Sequence, residues 1–534
     1  MSSIDTGLHY PIELENLPES WVYGLVGEFC DIVQSGFACG KHSDDDIGVT
    51  HLRPMNVNRA GEIDLTVQKY IPTSYDNRRL TTGNVLFNNT NSPELIGKTA
   101  YVTNEADGLA FSNHMTRIEF KNGIDSKYGA YQLHYLWMAR YYMHKCIKHV
   151  NQASISSSDF SKSIPFVVPP TNEQHRIVAK IEELFSELDK GIESLKRARE
   201  QLKVYRQALL KHAFEGELTE QWRKDNADKL ETADQLLARI KQAREDRYQK
   251  QLKEWKEVVK QWEKAGEKGK KPRKPIALHA IKPNEGQVPH EWLSLQVRDC
   301  LISSPSNGRS VKDRDGGFPV LRLTALKGEK ICISERKNGD WDREQAKEYI
   351  IKEGDFLLSR GNGSKSLVGL GKLVPSTKIE VAYPDTMVRL KPNTDYLRSE
   401  YLAEVWNSRV IRNQIEEAAR TTAGIYKINQ KHINEFVLPI CSLEEQDWII
   451  RRLNEVLPVI NQMMKEIEAG LERSEALRQS ILKKAFSGQL VAQDPNDEPA
   501  SVLLERIAAE KAQAAARGKK PRASKKKPVM KKAG

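Results

Sequence analysis

Cysteine is scarce and unpaired in this chain. Cys30, Cys39, Cys146, Cys300, Cys332 and Cys441 are scattered over 534 residues, and none forms a CxxC pair. Cys39 and His42 could open a metal site, but no second pair at zinc spacing follows, so no metal is expected. Reduced thiols in a cytoplasm are the expected state. Long apolar runs are also missing, which predicts no membrane-spanning helix. The stretch MSSIDTGLHYPIELENLP has no basic start followed by an apolar segment, so no secretion signal is expected. Catalytic signatures are lacking too. There is no NPPY-like or DPPY-like tetrapeptide and no GxxxxGK[ST], and GNGSKS at 361–366 has the wrong spacing for a phosphate loop.

What is present is charge. Charged residues make up 29% and hydrophobic residues only 39%, a mix that suggests globular parts joined to long solvated helices. The length predicts two to four domains. The net charge of +11 is concentrated in residues 511–534, which hold ten Lys or Arg and no Asp or Glu, leaving +1 for the rest. A nucleic-acid surface on the body must therefore arise from charge arrangement and not from charge total. The tail itself reads as disordered.

The chain is written twice. LLKHAFEGEL at 209–218 and ILKKAFSGQL at 481–490 share six of ten residues at an offset of 272. The offset also relates Glu173-Gln174 to Glu445-Gln446, Ile177 to Ile449, Glu200 to Glu472, and Arg206-Gln207 to Arg478-Gln479. Upstream, LPESW at 17–21 answers VPHEW at 288–292; downstream, LLARI at 236–240 answers LLERI at 503–507. Each unit runs from a globular segment into a helical one.

Ile181, Leu188, Leu195, Leu202 and Leu209 recur every seven residues, with Leu184, Phe185, Ile192 and Tyr205 filling the seam. Leu453, Ile460, Ile467 and Ile481 keep the register in the second copy, broken at Ser474. Charged flanks around a narrow seam predict a coiled coil. Pro169-Pro170 and Pro439 precede the two helices, and Gly216 and Gly488 stand where they should end. Two like units pairing through such helices favour a pseudo-twofold, hence antiparallel helices. A helix over 172–214 would be ~60 Å long. The globular segments carry short β-like runs such as VLFNN, TAYVTN, VLRLT and DFLLS between turn residues, so the expected class is α+β.

This organisation resembles the specificity subunit of Type I restriction-modification enzymes. The residues that carry the resemblance are LPESW and VPHEW, PPTNEQHRIVAKIEELF and LEEQDWIIRRLNEVL, and ALLKHAFEGELTEQWR and SILKKAFSGQL. It implies two mixed α/β target-recognition domains, at 12–168 and 288–438, joined by long antiparallel helices. Those lie in a central helical region, 171–265, and a distal one, 442–510, with a linker at 266–287 and the basic tail at 511–534. It further implies a non-catalytic, cytoplasmic DNA reader of an asymmetric bipartite site. Two methyltransferase subunits and two restriction subunits would be its partners, bringing S-adenosylmethionine, ATP and Mg²⁺. The 219–265 stretch and the tail are less typical of the family.

Base reading calls for Arg, Asn, Ser and Lys on short loops. The candidates are Ser359, Arg360, Asn362, Ser364 and Lys365 in the second domain, with Gly361 and Gly363 allowing close backbone approach. In the first domain they are Asn88, Asn89, Asn91 and Ser92. Arg53 and Arg322 occupy matching places, which also suits a shared framework role. Phe214 and Phe486 join the heptad residues as packing or partner-binding positions. Two alternatives remain at this stage: a nuclease holding Mg²⁺ through Asp107, Glu119 and Lys121, or a non-catalytic coiled-coil scaffold.

Overall fold

The computed structural model describes residues 10–517, apart from 45, 46, 76, 77, 151, 268, 287 and 423 and the side chains of 422 and 511–517. The segment 518–534, most of the basic tail, lies outside the described residues. Two compact units form: residues 1–196 with 468–534, and residues 197–467.

In the first unit, a four-stranded antiparallel sheet takes the order Cys30–Ser35, Met115–Phe120, Val85–Asn88, Thr99–Tyr101. In the second, Ser306–Asn307, Met387–Leu390, Phe356–Ser359 and Gly371–Leu373 take the same order. Three of these four strand pairs are separated by 271 or 272 residues, so the topology keeps the repeat where the sequence has diverged. Val85–Asn88, Phe356–Ser359 and Met387–Leu390 are buried at every position, which is why the first two open as apolar runs, VLF and FLL, instead of alternating ones. One helix covers each sheet, Ser126–Met138 in the first and Ser399–Asn407 in the second.

The long helices are Thr171–Phe214 and Leu443–Phe486, 44 residues each. Ile177, Ile181 and Phe185 pack with Ile481, Leu482, Ala485 and Phe486 in the first unit's core. Further along the same helix, Asp189 pairs with Arg478, whose guanidinium sits 4.2 Å from the Phe185 ring centroid. Leu195 meets Gly470 beyond that. Partner numbers fall as helix numbers rise, so the pair is antiparallel. In the second unit, Leu209, Leu210, Ala213 and Phe214 pack with Ile449, Leu453, Leu457 and Ile460. Ile467 is buried, whereas Leu188, Leu195 and Leu202 are half-buried. Tyr205 departs from expectation: it is 54% exposed and faces away from the seam.

A repeated joint ties each helix start to its domain. Trp21 Nε1 donates to Glu173 at 3.0 Å, and Trp292 Nε1 donates to Glu445 at 2.9 Å. Gln174 donates to the carbonyls of Pro169 and Gly123, and Gln446 to those of Cys441 and Tyr396. The PxxW and EQ motifs are therefore two halves of one buried hydrogen-bonded lock. The helix ends close onto the same place. Phe486 packs edge-on to Tyr128, and Phe214 packs edge-on to Tyr401. Gly488 and Gly216 have φ of 72° and 83°, and a Cβ there would lie 2.4 Å from Pro18 and 2.3 Å from Pro289. Glycine is thus required twice over, by backbone and by space. Gly216→Ala or Gly488→Ala should each cost at least about 1–2 kcal/mol from backbone conformation alone. Urea unfolding measures it; an unchanged midpoint would show that neither constraint matters.

The central stretch packs on the second unit. Leu236 and Ile240 of the helix Ala233–Lys264 are buried, Arg244 pairs with Asp299 at 3.1 Å, and Arg247 pairs with Asp395 at 2.8 Å. Residues 266–287, expected to be a plain linker, are partly anchored. Pro272 accepts a hydrogen bond from Trp255 Nε1 at 3.1 Å, and Ile281 is buried. The repeat again shows in Ala500–Arg517, which buries Leu503 and Ile507 against the first unit. That helix extends seven residues into the stretch expected to be disordered.

Candidate nucleic-acid interface

The central strand of each four-stranded sheet ends in a polar turn: at Asn88 in the first domain and at Ser359 in the second. Burial decides which of the polar side chains there can meet a ligand. Asn88 is fully buried, and its Nδ2 donates to the Pro54 carbonyl at 3.0 Å. Asn89 is 5% exposed, and its Nδ2 donates to Thr116 Oγ1 at 2.9 Å and to the Asn113 carbonyl at 3.2 Å. Ser359 is 2% exposed, and its Oγ donates to the Leu367 carbonyl at 3.0 Å. These three correct the expectation from sequence. They satisfy backbone groups inside the turn and cannot reach bases.

The others lie nearer solvent. Asn91 and Ser92 are half-buried, with the Asn91 side chain accepting from the Ser92 N–H at 2.8 Å. Arg360 and Lys365 are exposed, and Asn362 and Ser364 are half-buried. The Arg360 backbone is clamped from both sides, its N–H donating to Thr386 at 2.8 Å and its carbonyl accepting from Ile428 at 3.1 Å. A rigid backbone under a free guanidinium suits recognition. Arg53 is half-buried and Arg322 exposed. Arg322 Nη2 lies 4.0 Å from Asp313. Both arginines precede a short 3₁₀ helix, so they share a framework position.

Sequence reasoning missed Arg412. It is 8% exposed and donates to the carbonyls of Val368 at 2.6 Å, Ser366 at 3.0 Å and Lys365 at 3.4 Å. It therefore cinches the loop that presents Ser364 and Lys365. Burial lowers its pKa from the ordinary arginine value. The available signal was an arginine between Ile411 and Ile415 on the buried face of an amphipathic helix.

Sequence reasoning also missed a β-hairpin beside each loop. In the second domain Arg420–Thr422 pairs with Ile425–Lys427, which pairs with Gly361–Asn362. In the first, Ile147–Lys148 pairs with Ala153–Ser154, which pairs with Thr90–Asn91. These strands are too short to register as periodic runs. Gly361 has an ordinary negative φ, and its missing side chain makes room for the hairpin, since a Cβ there would lie 3.2 Å from Lys427 Cγ.

His42, which sequence placed near a possible metal site, instead meets another histidine. His42 Nε2 and His51 Nδ1 are 2.8 Å apart, and Phe37 stacks on His51. Burial, and then His42, pull the His51 pKa down to about 4. Burial, then Arg53 and Lys69, lower that of His42. Asp107 accepts from the Thr82 N–H at 2.7 Å, and Glu119 is an exposed strand residue. Among the described residues no group of three His, Cys, Asp or Glu is placed to hold a metal ion.

A family model described as Type I restriction modification DNA specificity domain matches residues 18–197. Over 381 residues the chain is 25% identical to the Type I restriction enzyme EcoKI specificity subunit of Escherichia coli strain K12, covering 70% of this chain and 68% of that one. Over 233 residues it is 30% identical to the StySPI specificity subunit of Salmonella potsdam, covering 41% and 50%. The chain is thus similar to the Type I restriction-modification specificity subunits. One solved structure, from work on complex assembly and conformational transition of the type I R-M system, shares the fold. Its TM-score is 0.59 at 15% identity, over 89% of this chain and 99% of that one. The matched segment 18–197 lies in the first copy of the repeat, from PxxW to the first half of the long helix Thr171–Phe214. The matching strand order extends the relationship to the second copy. No helix among its described residues is long and apolar enough to cross a membrane.

Proposed function

We propose that this chain is the non-catalytic DNA reader of a Type I restriction-modification complex, with each domain reading one half of an asymmetric bipartite site. The observation that supports the reading most is a contrast within the repeat. The buried joint is the same in both copies: Trp21–Glu173 and Trp292–Glu445, Phe486–Tyr128 and Phe214–Tyr401. The polar loops beside the sheets are not, NTNS against GNGSKS. A constant frame with variable polar tips suits two different half-sites. The paired helices would set the spacer and seat two methyltransferase subunits. Those, with two restriction subunits, would supply S-adenosylmethionine, ATP and Mg²⁺.

Selection of duplexes from a random pool by the chain assembled with its methyltransferase partner tests this. Recovery of one two-part sequence is expected. In that assay Arg360→Ala should relax preference at one base pair by about 1–3 kcal/mol. Equal recovery of all sequences by the unaltered complex would overturn the reading.

A further inference from the structure

The two β-hairpins flanking the loops touch the cores only through Ala153 and Tyr426. Each is a two-stranded ribbon hydrogen-bonded to the loop strand. Ser154 lies opposite Thr90 in the first domain, and Tyr426 lies opposite Asn362 in the second. Their outer faces are exposed and apolar beside basic. Ile147 is 57% exposed and Val150 99%, next to exposed Lys148 and His149. In the second domain Ile425 is 43% exposed, between exposed Arg420 and Lys427.

Three features together point to a ligand. Neither 147–154 nor 420–427 contains Asp or Glu, in a chain with 72 acidic residues. Exposed branched apolar side chains next to cationic ones, Val150 at 99% above all, contribute little burial to folding. Finally, strand register aligns Ile147 with Arg420 and Ser154 with Lys427, and on that alignment IKHVNQAS and RTTAGIYK agree at no position. A protein partner bound once per repeat would select alike surfaces, as the joint residues are alike. Two half-sites of different sequence select unlike ones.

We infer that the 147–154 and 420–427 hairpins enter a DNA groove and that Lys148, Val150, Ile425 and Lys427 are specificity-determining residues. The inference rests on the DNA-reading function proposed above. A two-stranded ribbon fits the major groove, where a lysine can meet guanine acceptors and a branched apolar group the thymine methyl. Loop and hairpin would act as one surface, because Gly361 pairs directly with Lys427 and has no side chain to hold the strands apart.

The test is selection from random duplexes by the full chain assembled with its methyltransferase partner. Three forms are compared: unaltered, Lys148→Gln with Val150→Ser, and Ile425→Ser with Lys427→Gln. All four residues are exposed, and the thermal midpoint of each variant checks that the fold is intact. Each variant should lose roughly tenfold or more of its preference at one or more base pairs of one half-site, leaving the other half-site unchanged. Wild-type preference retained in both halves would overturn the inference, and so would uniform weakening across all sequences, which marks phosphate contact alone. Absence of preference in the unaltered complex would instead bring down the DNA-reading function, and this inference with it.

Discussion

Phe214→Ala and Phe486→Ala should each destabilise the unit that holds the side chain by about 3–5 kcal/mol, the cost of emptying a fully packed phenylalanine site. Both rings are essentially inaccessible, Phe214 at 1% and Phe486 at 0%. Each meets a tyrosine edge-on at a centroid distance of 5.4 Å, Tyr401 for Phe214 and Tyr128 for Phe486. Those tyrosines are fixed in turn. The Tyr128 hydroxyl donates to the Val167 carbonyl and the Tyr401 hydroxyl to the Pro439 carbonyl, each at 3.1 Å. Removing either ring leaves a cavity against a tyrosine that cannot move without breaking a buried hydrogen bond. Phe486 also touches Tyr135 at 5.6 Å, so its removal should cost the more of the two. Urea unfolding gives the loss, and duplex selection gives the sequence read by whatever folds. Intact stability with an altered base preference would reverse the assignment of these residues to the frame.

Glu445→Gln should cost the second unit about 3 kcal/mol, the lower end of the range for stranding one partner of a buried ion pair. Glu445 is 1% exposed; it accepts from Arg223 Nη1 at 2.8 Å and from Trp292 Nε1 at 2.9 Å. Arg223 keeps a weaker partner in Glu291 at 3.7 Å, which limits the loss. The matching carboxylate in the first unit gives an internal comparison. Glu173 accepts from two neutral groups, Trp21 at 3.0 Å and Gln493 at 2.6 Å. Glu173→Gln strands no charge and should cost about 1 kcal/mol. Equal losses in the two variants would show that the Arg223 pair contributes nothing special. Burial raises the pKa of both carboxyls above the ordinary 4.5, against the hydrogen bonds that lower it. A raised folded-state pKa contributes stability that is present below about pH 4.5 and lost as pH rises through the folded value. The unaltered joint should therefore weaken over that rise, and Glu173→Gln should flatten the slope.

The frame was legible in the residues because it is built from local features. Heptad spacing fixes a buried helix stripe, Pro169-Pro170 and Gly216 bound one helix, and a constant offset ties both copies to one geometry. Tyr205 shows the limit of that reading. It sits next to the seam in register, yet faces solvent, since only packing fixes how wide the seam is. The candidate interface was legible in outline only. The loops were found because Gly, Asn and Ser cluster after an apolar strand. Their hairpins and Arg412 were not, because strands of two or three residues leave no periodic trace.

The sequence alone determined that the protein is one unit repeated, with helices as the conserved part and loops as the variable part. Repeats and periodicity are properties of order along the chain. Tertiary structure alone decided which polar side chains are available. Asn88, Asn89 and Ser359 look like readers in sequence but are consumed by backbone carbonyls and a hydroxyl inside the turn, while Arg360 and Lys365 face out. It also decided that Phe214, at the end of the first copy, packs on Tyr401 of the second. Burial and pairing depend on residues tens to hundreds of positions away, and no local pattern carries that information.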